Sequence, residues 1–354
     1  MSQLKRLQSA MTAAGVEHLQ IHEPATLQWL AGFTGSFGIA LVTPNEGVFI
    51  TDSRYTIQAK NQVKELDVIP HDPSKVIQDV VADQVKRLGA KQLAFESSAS
   101  YAQVEAWRAK YDGVELVSCK NLLTDLFKIK TADEIALIKE ACKLGDACMQ
   151  RAISMIQVGV SEYDIGLDIE FFFRKQGAKI GFDPIVASGP NSALPHARPS
   201  ERKIERGEFV TLDLGCSLDG YCSDITRTVV VSECSDRHRD IYEQVLRAEE
   251  ECCAALVPGA NGKDVDQLAR DILNEKDLAQ YFGHSLGHGL GRVVHDPGRL
   301  YHTADEPIVA GQVWTVEPGV YIEGFGGVRI EDDVVVTASG PEIITHTPKA
   351  LLIV

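Results

Sequence analysis

Apolar positions in residues 1–126 switch between two periods. "MSQLKRLQSAMTAAGVEHLQ" sets Leu4, Leu7 and Met11 on one stripe, which predicts an amphipathic helix. "GIALVTPNEGVFITD" reads as two strands around a Pro-Asn turn, "VIQDVVADQVKRLGA" as a helix ended by Gly89, and "KQLAFES" as a strand after it. This α/β alternation is the mark of a small layered domain. "FTGSFG" and "TDSRY" are polar punctuation between its strands. A second unit opens with "KTADEIALIKEACKLGDACMQRAISMI", where Thr131 and Glu134 form a capping box ahead of a long apolar-periodic helix. The pattern predicts two domains, residues 1–128 and 129–354, in an α/β (α+β) chain. Within the second, "VGVSEYDIGLDIEFFFRKQG" and "PGANGKDVDQLARDILNEKD" echo each other 100 positions apart, each a Gly turn leading into a helix. That spacing suggests an internally duplicated α/β unit.

Two later stretches read as hairpins. In "EFVTLDLGCSLDGYCSDITRTVVV" one strand runs from Phe209 to Gly215 and the other from Tyr221 to Val231, with "SLDG" as the turn. A turn centred on Leu218–Asp219 makes Asp213 and Asp224 directly opposed, and one centred on Asp219–Gly220 makes them diagonal neighbours. Both registers put the two carboxylates on one face. In "TVEPGVYIEGFGGVRIEDDVVVT" Glu317 and Glu331 are equidistant from Gly324 and face each other if that tip is a turn. Like charges at this range are destabilising. They call for a shared proton or a bound cation.

Composition narrows the field. The formal net charge of -15 excludes a nucleic-acid partner, which needs clustered Lys and Arg. The eight cysteines form no CxxC pair, and a chain of 354 residues has no need of disulfide staples. With no signal-peptide core and no apolar run near the roughly 18 residues of a membrane span, a cytoplasmic protein without a membrane partner is expected.

Four clustered carboxylates call for about two divalent cations, and an imidazole would complete the set. "HSLGHGLGRVVHD" supplies His284, His288 and His295 among glycines. The spacing of His284 and His288 is that of a HExxH zinc helix, but the glutamate is missing and the glycines disfavour a helix, so that reading is rejected. With these pieces assembled, the chain resembles the pita-bread metallopeptidases, the superfamily of methionine aminopeptidase, aminopeptidase P, prolidase and creatinase. The family's five ligands match Asp213 in "LDLG", Asp224 in "YCSDITRT", His288 in "GHGLG", Glu317 in "TVEPG" and Glu331 in "VRIEDD". Further family positions match His196 in "NSALPHARPS", His295 in "VHD", His284 and Arg329. The likeness is specific over residues 131–354. Residues 1–130 resemble the creatinase-like amino-terminal domain of the aminopeptidase P, prolidase and creatinase branch, on the softer pieces "GFTGSFG" and "TDSRY".

The resemblance implies an exopeptidase that cleaves the Xaa-Pro bond at the free amino end of a peptide, using a hydroxide that bridges two divalent ions. Mn²⁺ is placed first, with Co²⁺ or Zn²⁺ as alternatives. It assigns Asp224 and Glu331 as bridges, Asp213 to one ion, and His288 and Glu317 to the other. Glu317 doubles as proton shuttle, His196 and His295 donate to the scissile carbonyl oxygen, His284 lines the substrate side, and Arg329 clamps carboxylates. It also implies a homodimer. An aminopeptidase is placed slightly ahead of a strict dipeptidase (prolidase), because nothing in the sequence marks a clamp for a dipeptide's carboxylate. A non-catalytic binding protein and a creatinase-like hydrolase on the same fold stand behind them, disfavoured by the intact ligand set.

Overall fold

In a computed structural model that describes every residue except His71 and Pro73, the chain divides into two compact units, Met1–Leu126 and Phe127–Val354. The first is built on a six-stranded mixed sheet in the order Asp67–Ile69, Gly47–Ile50, Ile39–Val42, Leu19–Ile21, Gln92–Phe95, Glu115–Ser118. Helix Ile77–Arg87 buries Val80, Val81 and Val85 against Leu41, Val48, Ile50 and Leu93 of this sheet. The two strands around the Pro-Asn turn pair antiparallel as the alternation predicts.

In the second unit, helix Ala132–Met155 starts at a complete capping box: Thr131 N–H donates to Glu134 Oε2 at 2.8 Å and Glu134 N–H to Thr131 Oγ1 at 3.3 Å. Strand Phe209–Leu214 pairs antiparallel with Ile225–Val230 and with Ile185–Ser188. Helices Ala132–Met155 and Glu162–Lys175 cover this sheet through Met149, Ile165, Phe173, Leu212 and Val229. A five-stranded sheet follows, in the order Asp296–Leu300, Gly287–Gly289, Val313–Val316, Asp332–Thr337, Gly340–Ile343. It is covered by helices Asp236–Ala255 and Gly262–Asn274 through Tyr242, Val245, Ala269, Val316 and Val334. The repeat read from the sequence is visible here. Gly159 and Gly259 each precede the second helix of a pair, and Ser161 and Asn261 cap those helices while bridging to Lys203 and Pro307. Among the described residues no helix is long and apolar enough to cross a membrane. The eight cysteines are all unpaired and six are buried.

The first hairpin takes the diagonal register. Thr226 lies opposite Asp213, and Asp224 is therefore a diagonal neighbour two residues along on the same face. The turn is centred on Asp219 (φ 50°) and Gly220 (φ 85°), the positive-φ pair that a two-residue hairpin turn demands. The strands are not continuous. They leave the sheet at Gly215 and at Ser223–Asp224, then resume without a change of register as Cys216–Leu218 and Tyr221–Cys222. The second hairpin does the same. Val316 pairs with Asp332 and Gly319 with Arg329, so Glu317 and Glu331 face each other across the gap between two ladders. Each break frees the backbone next to a carboxylate, and a Thr226–Glu331 bridge joins the two hairpins there.

Gly215 makes the first break possible. A Cβ on it would stand 2.1 Å from the carbonyl oxygen of Ser223, a backbone atom that cannot step aside. Gly215→Ala is expected to cost about 1–3 kcal/mol of stability, the usual penalty for overpacking. It would be read as a lower midpoint in urea with an unchanged slope, and a midpoint equal to wild type would refute the constraint.

Candidate metal centre

Asp213, Asp224, His288, Glu317 and Glu331 all line one cavity of about 510 Å³, together with His196, His284, His295 and Arg329. Every candidate site residue named from the sequence reaches this cavity. Asp224, His288 and Glu331 each offer one ligand atom, and those atoms lie within 4.8 Å of one another. His288 Nε2 is 3.7 Å from Asp224 Oδ2 and 3.6 Å from Glu317 Oε1. The Oδ1 atoms of Asp213 and Asp224 are buried without a hydrogen-bond partner. Buried carboxylate oxygens are ordinarily satisfied. Two such oxygens beside an imidazole lone pair form an oxygen-and-nitrogen donor set that fits divalent transition ions.

The side chains are fastened from behind. His288 N–H donates to Thr315 Oγ1 at 3.0 Å, and its Nδ1 is 3.0 Å from the carbonyl of Gly289. A carbonyl can only accept, so Nδ1 carries the proton and Nε2 turns its lone pair to the carboxylates. Burial pushes His288 down to about 4, which keeps that lone pair free at neutral pH. Thr226 Oγ1 donates to Glu331 Oε2 at 2.6 Å. Asp224 N–H donates to Asp333 Oδ2 at 3.0 Å, and the Cys142 thiol to the same oxygen at 3.2 Å. Arg329 Nη2 pairs with Asp213 Oδ2 at 2.6 Å and its Nε donates to Thr226 Oγ1 at 3.1 Å.

His284 belongs to a directed chain. Its Nδ1 donates to the carbonyl of Ser285 at 2.8 Å, so Nε2 accepts from the Tyr321 hydroxyl at 2.8 Å. That hydroxyl in turn accepts from Arg329 Nη1 at 2.8 Å. Burial first, and then Arg329, hold His284 down at about 4, so it is neutral in this chain. His196 and His295 are exposed to the cavity, and the His295 ring meets the His288 ring edge-on at 4.4 Å between centroids.

The carboxylates repel one another's charge. Asp224 is pushed well above the ordinary range by burial and then by Glu331 and Asp213. Glu331 is pushed up by burial and then by Glu317 and Asp213. Glu317 rises to about 8 through burial, with Asp213 adding to it and Arg329 opposing.

Sequence reasoning passed over Thr226, Tyr321, Asp333, Arg198 and Arg299. Thr226 follows Asp224 by two residues on the same strand face, and Arg198 and Arg299 lie two and four residues past His196 and His295. Even-numbered spacing from a candidate site residue was the available signal. Asp333 and Tyr321 carried the same spacing, two residues past Glu331 and four past Glu317, but their partners Asp224 and His284 lie 109 and 37 positions away, so their roles were not readable.

Residues 136–338 match the family described as Metallopeptidase family M24, and residues 3–126 the Creatinase/Prolidase N-terminal domain. The fold superimposes on an Xaa-Pro dipeptidase from Bacillus anthracis with a TM-score of 0.94 and 43% identity, covering 99% of both chains. An X-Pro aminopeptidase from Thermotoga maritima MSB8 gives 0.91 and 34%, covering 98% of this chain and 100% of the other. In sequence the chain is 33% identical to an Xaa-Pro dipeptidase of Pyrococcus furiosus, over 99% of both.

A cation entering this cavity has to displace protons held by Asp224, Glu331 and Glu317. Mn²⁺ affinity is therefore expected to rise with pH up to about 8, with protons released on binding. The raised Glu317 has the matching linkage sign. Its contribution to the stability of the metal-free chain is complete below its unperturbed 4.5 and is lost as pH rises through about 8. Calorimetry in two buffers of different ionisation enthalpy reads the protons, and a pH-independent affinity without proton release would contradict the charge balance.

Proposed function

Because the chain belongs to metallopeptidase family M24, we propose that it is an Xaa-Pro peptidase that takes dipeptides, with Asp213, Asp224, His288, Glu317 and Glu331 as the residues that hold two divalent cations. Mn²⁺ is the first choice of metal, and Co²⁺ or Zn²⁺ the alternatives. Bound there, the cations supply Lewis acidity that makes water nucleophilic near neutral pH and polarises the scissile carbonyl. Glu317 Oε1, beside His288 Nε2, is the atom that carries a proton to the leaving nitrogen. The proline nitrogen has no proton as a peptide and must gain one as its bond breaks. His295 and His196 face the cavity and donate to the carbonyl oxygen as charge develops there.

Arg329 is largely committed within the protein, since four of its five N–H donors go to Asp213, Thr226, Tyr321 and the carbonyl of Pro195. Arg198 and Arg299 are the observation that carries the dipeptide reading. Both line the cavity, both are exposed, and neither makes an ion pair among the described residues, although Arg299 is near enough to Glu317 to favour its charge. A free carboxylate one residue beyond the scissile bond is the complement of those two cations. These arginines supply the clamp that was not recognised in the sequence, and they move the preference from aminopeptidase to dipeptidase. The likeness to the Thermotoga maritima aminopeptidase keeps the longer-substrate reading as the second one.

Mass spectrometry on Ala-Pro, Ala-Pro-Ala and Ala-Ala-Ala decides between them. Fast cleavage of Ala-Pro and little of the others is expected. Arg299→Leu should raise KM for Ala-Pro about tenfold or more, the usual loss of a charge-assisted hydrogen bond. Equal rates on Ala-Pro-Ala would return the preference to an aminopeptidase, and equal rates on Ala-Ala-Ala would end proline specificity.

His295→Ala should lower kcat by about 10²–10³-fold, the typical loss for one oxyanion donor, while metal content stays at the wild-type level. Metal loss in that variant would instead make His295 a ligand.

A further inference from the structure

The His295 imidazole has no hydrogen bond of its own among the described residues, and its ring contact is with His288. Its placement in the cavity must therefore come from the backbone on either side. That backbone is gripped twice. On one side the Arg292 guanidinium stacks on Phe127, 3.3 Å from the ring centroid. On the other, Asp296 Oδ2 pairs with Lys130 Nζ at 2.9 Å, with side chains 1% and 4% exposed. Phe127 lies near the end of helix Lys120–Lys128, and Lys130 in the link from there to helix Ala132–Met155. Lys130 is itself fixed, because its N–H donates to the carbonyl of Gly311 at 2.8 Å and the next residue, Thr131, caps that helix. The near side of the loop is tied as well, with Cys222 N–H donating to the carbonyl of Gly291 at 2.8 Å.

We propose that Phe127 and Lys130 are positioning residues for His295: they clamp the backbone at Arg292 and Asp296 and so aim an imidazole that has no hydrogen bond of its own among the described residues. The proposal rests on His295 acting as donor to the substrate carbonyl. A buried ion pair is a poor source of net stability, but breaking it from one side strands a charge and moves the local backbone. Misplacing a reacting group by on the order of 1 Å can cost about 10²-fold in rate. The clamp should therefore show in kcat far more than in KM.

The test uses the full chain and a double-mutant cycle. Lys130→Met should lower kcat on Ala-Pro by about 10–10²-fold with metal content unchanged. In the His295→Ala background the same change should cost almost nothing, because the residue being aimed is gone. Lys130→Arg should recover most of the rate. If Lys130→Met does not fold, Phe127→Leu leaves the ion pair in place and runs the same cycle. The second readout needs no turnover. The His295 imidazole signal in histidine-labelled NMR, assigned by its loss in His295→Ala, should shift or broaden in Lys130→Met with the chain metal-free or Zn²⁺-loaded. An equal loss of kcat with and without His295, or an unmoved imidazole signal, overturns the clamp. A wild-type chain inactive on every Xaa-Pro peptide, with a signal that still moves, removes the peptidase reading and leaves the clamp standing.

Discussion

The second unit is organised around a repulsion. Asp213, Asp224, Glu317 and Glu331 are brought together around one cavity, three of them buried, and folding alone leaves most of their charge uncompensated. Burial penalises each carboxylate, and each neighbour penalises it again. Protons can relieve the strain in the metal-free chain, which is why three of the four are pushed upward. Divalent cations would relieve it better, and that preference is what makes the cluster a candidate binding site. Arg329 meets only part of the charge, since its guanidinium touches Asp213 and leaves the other three to find partners in the cavity.

Holding such a cluster requires rigidity behind it. Arg227, 2% exposed, donates to the carbonyls of Thr226, Glu331 and Thr347 and pairs with Asp332 at 2.7 Å. Lys349 then links Asp332 at 2.7 Å to Glu249 at 2.8 Å, on helix Asp236–Ala255. Burial and then Asp332 push Glu249 up to about 7. The chain of pairs runs from the backbone of Glu331 into the second helical layer, with Lys349 its one partly exposed member. Replacing one member of such a chain leaves the next uncompensated, so these groups constrain each other more than they stabilise the fold.

Much of this was legible from residue patterns. The capping box at Thr131, the Gly159 and Gly259 echo and both hairpins rest on local rules, and local rules survive folding. The symmetry of Glu317 and Glu331 about Gly324 was enough to face them, because the tip lies on the axis of both ladders. The first hairpin left two registers open, and the turn conformation at Asp219–Gly220 selected the diagonal one. The arginines were harder to see. Arg227 and Arg329 look alike in sequence, each amid apolar strand residues, yet Arg227 turns to the C-terminal segment and Arg329 to the cavity. Only the pairing between hairpins separates those fates. Arg198 and Arg299 sit within four residues of named histidines and were passed over because a cation without an ion pair is recognised only once its surroundings are known.

Both hairpins lose their ladders beside a carboxylate and regain them in the same register. This makes the stems and the tips unequal before evolution. A tip can gain residues freely, as long as the loop closes, and the carboxylates still face each other. A single residue gained in a stem between carboxylate and turn would rotate every position beyond it to the opposite face. The cavity would then trade a carboxylate for an apolar neighbour such as Leu214 or Ile330. Length variation among relatives should accordingly collect at Asp219–Gly220 and around Gly324, while the spans from those turns back to the four carboxylates stay fixed in length even where their residues drift.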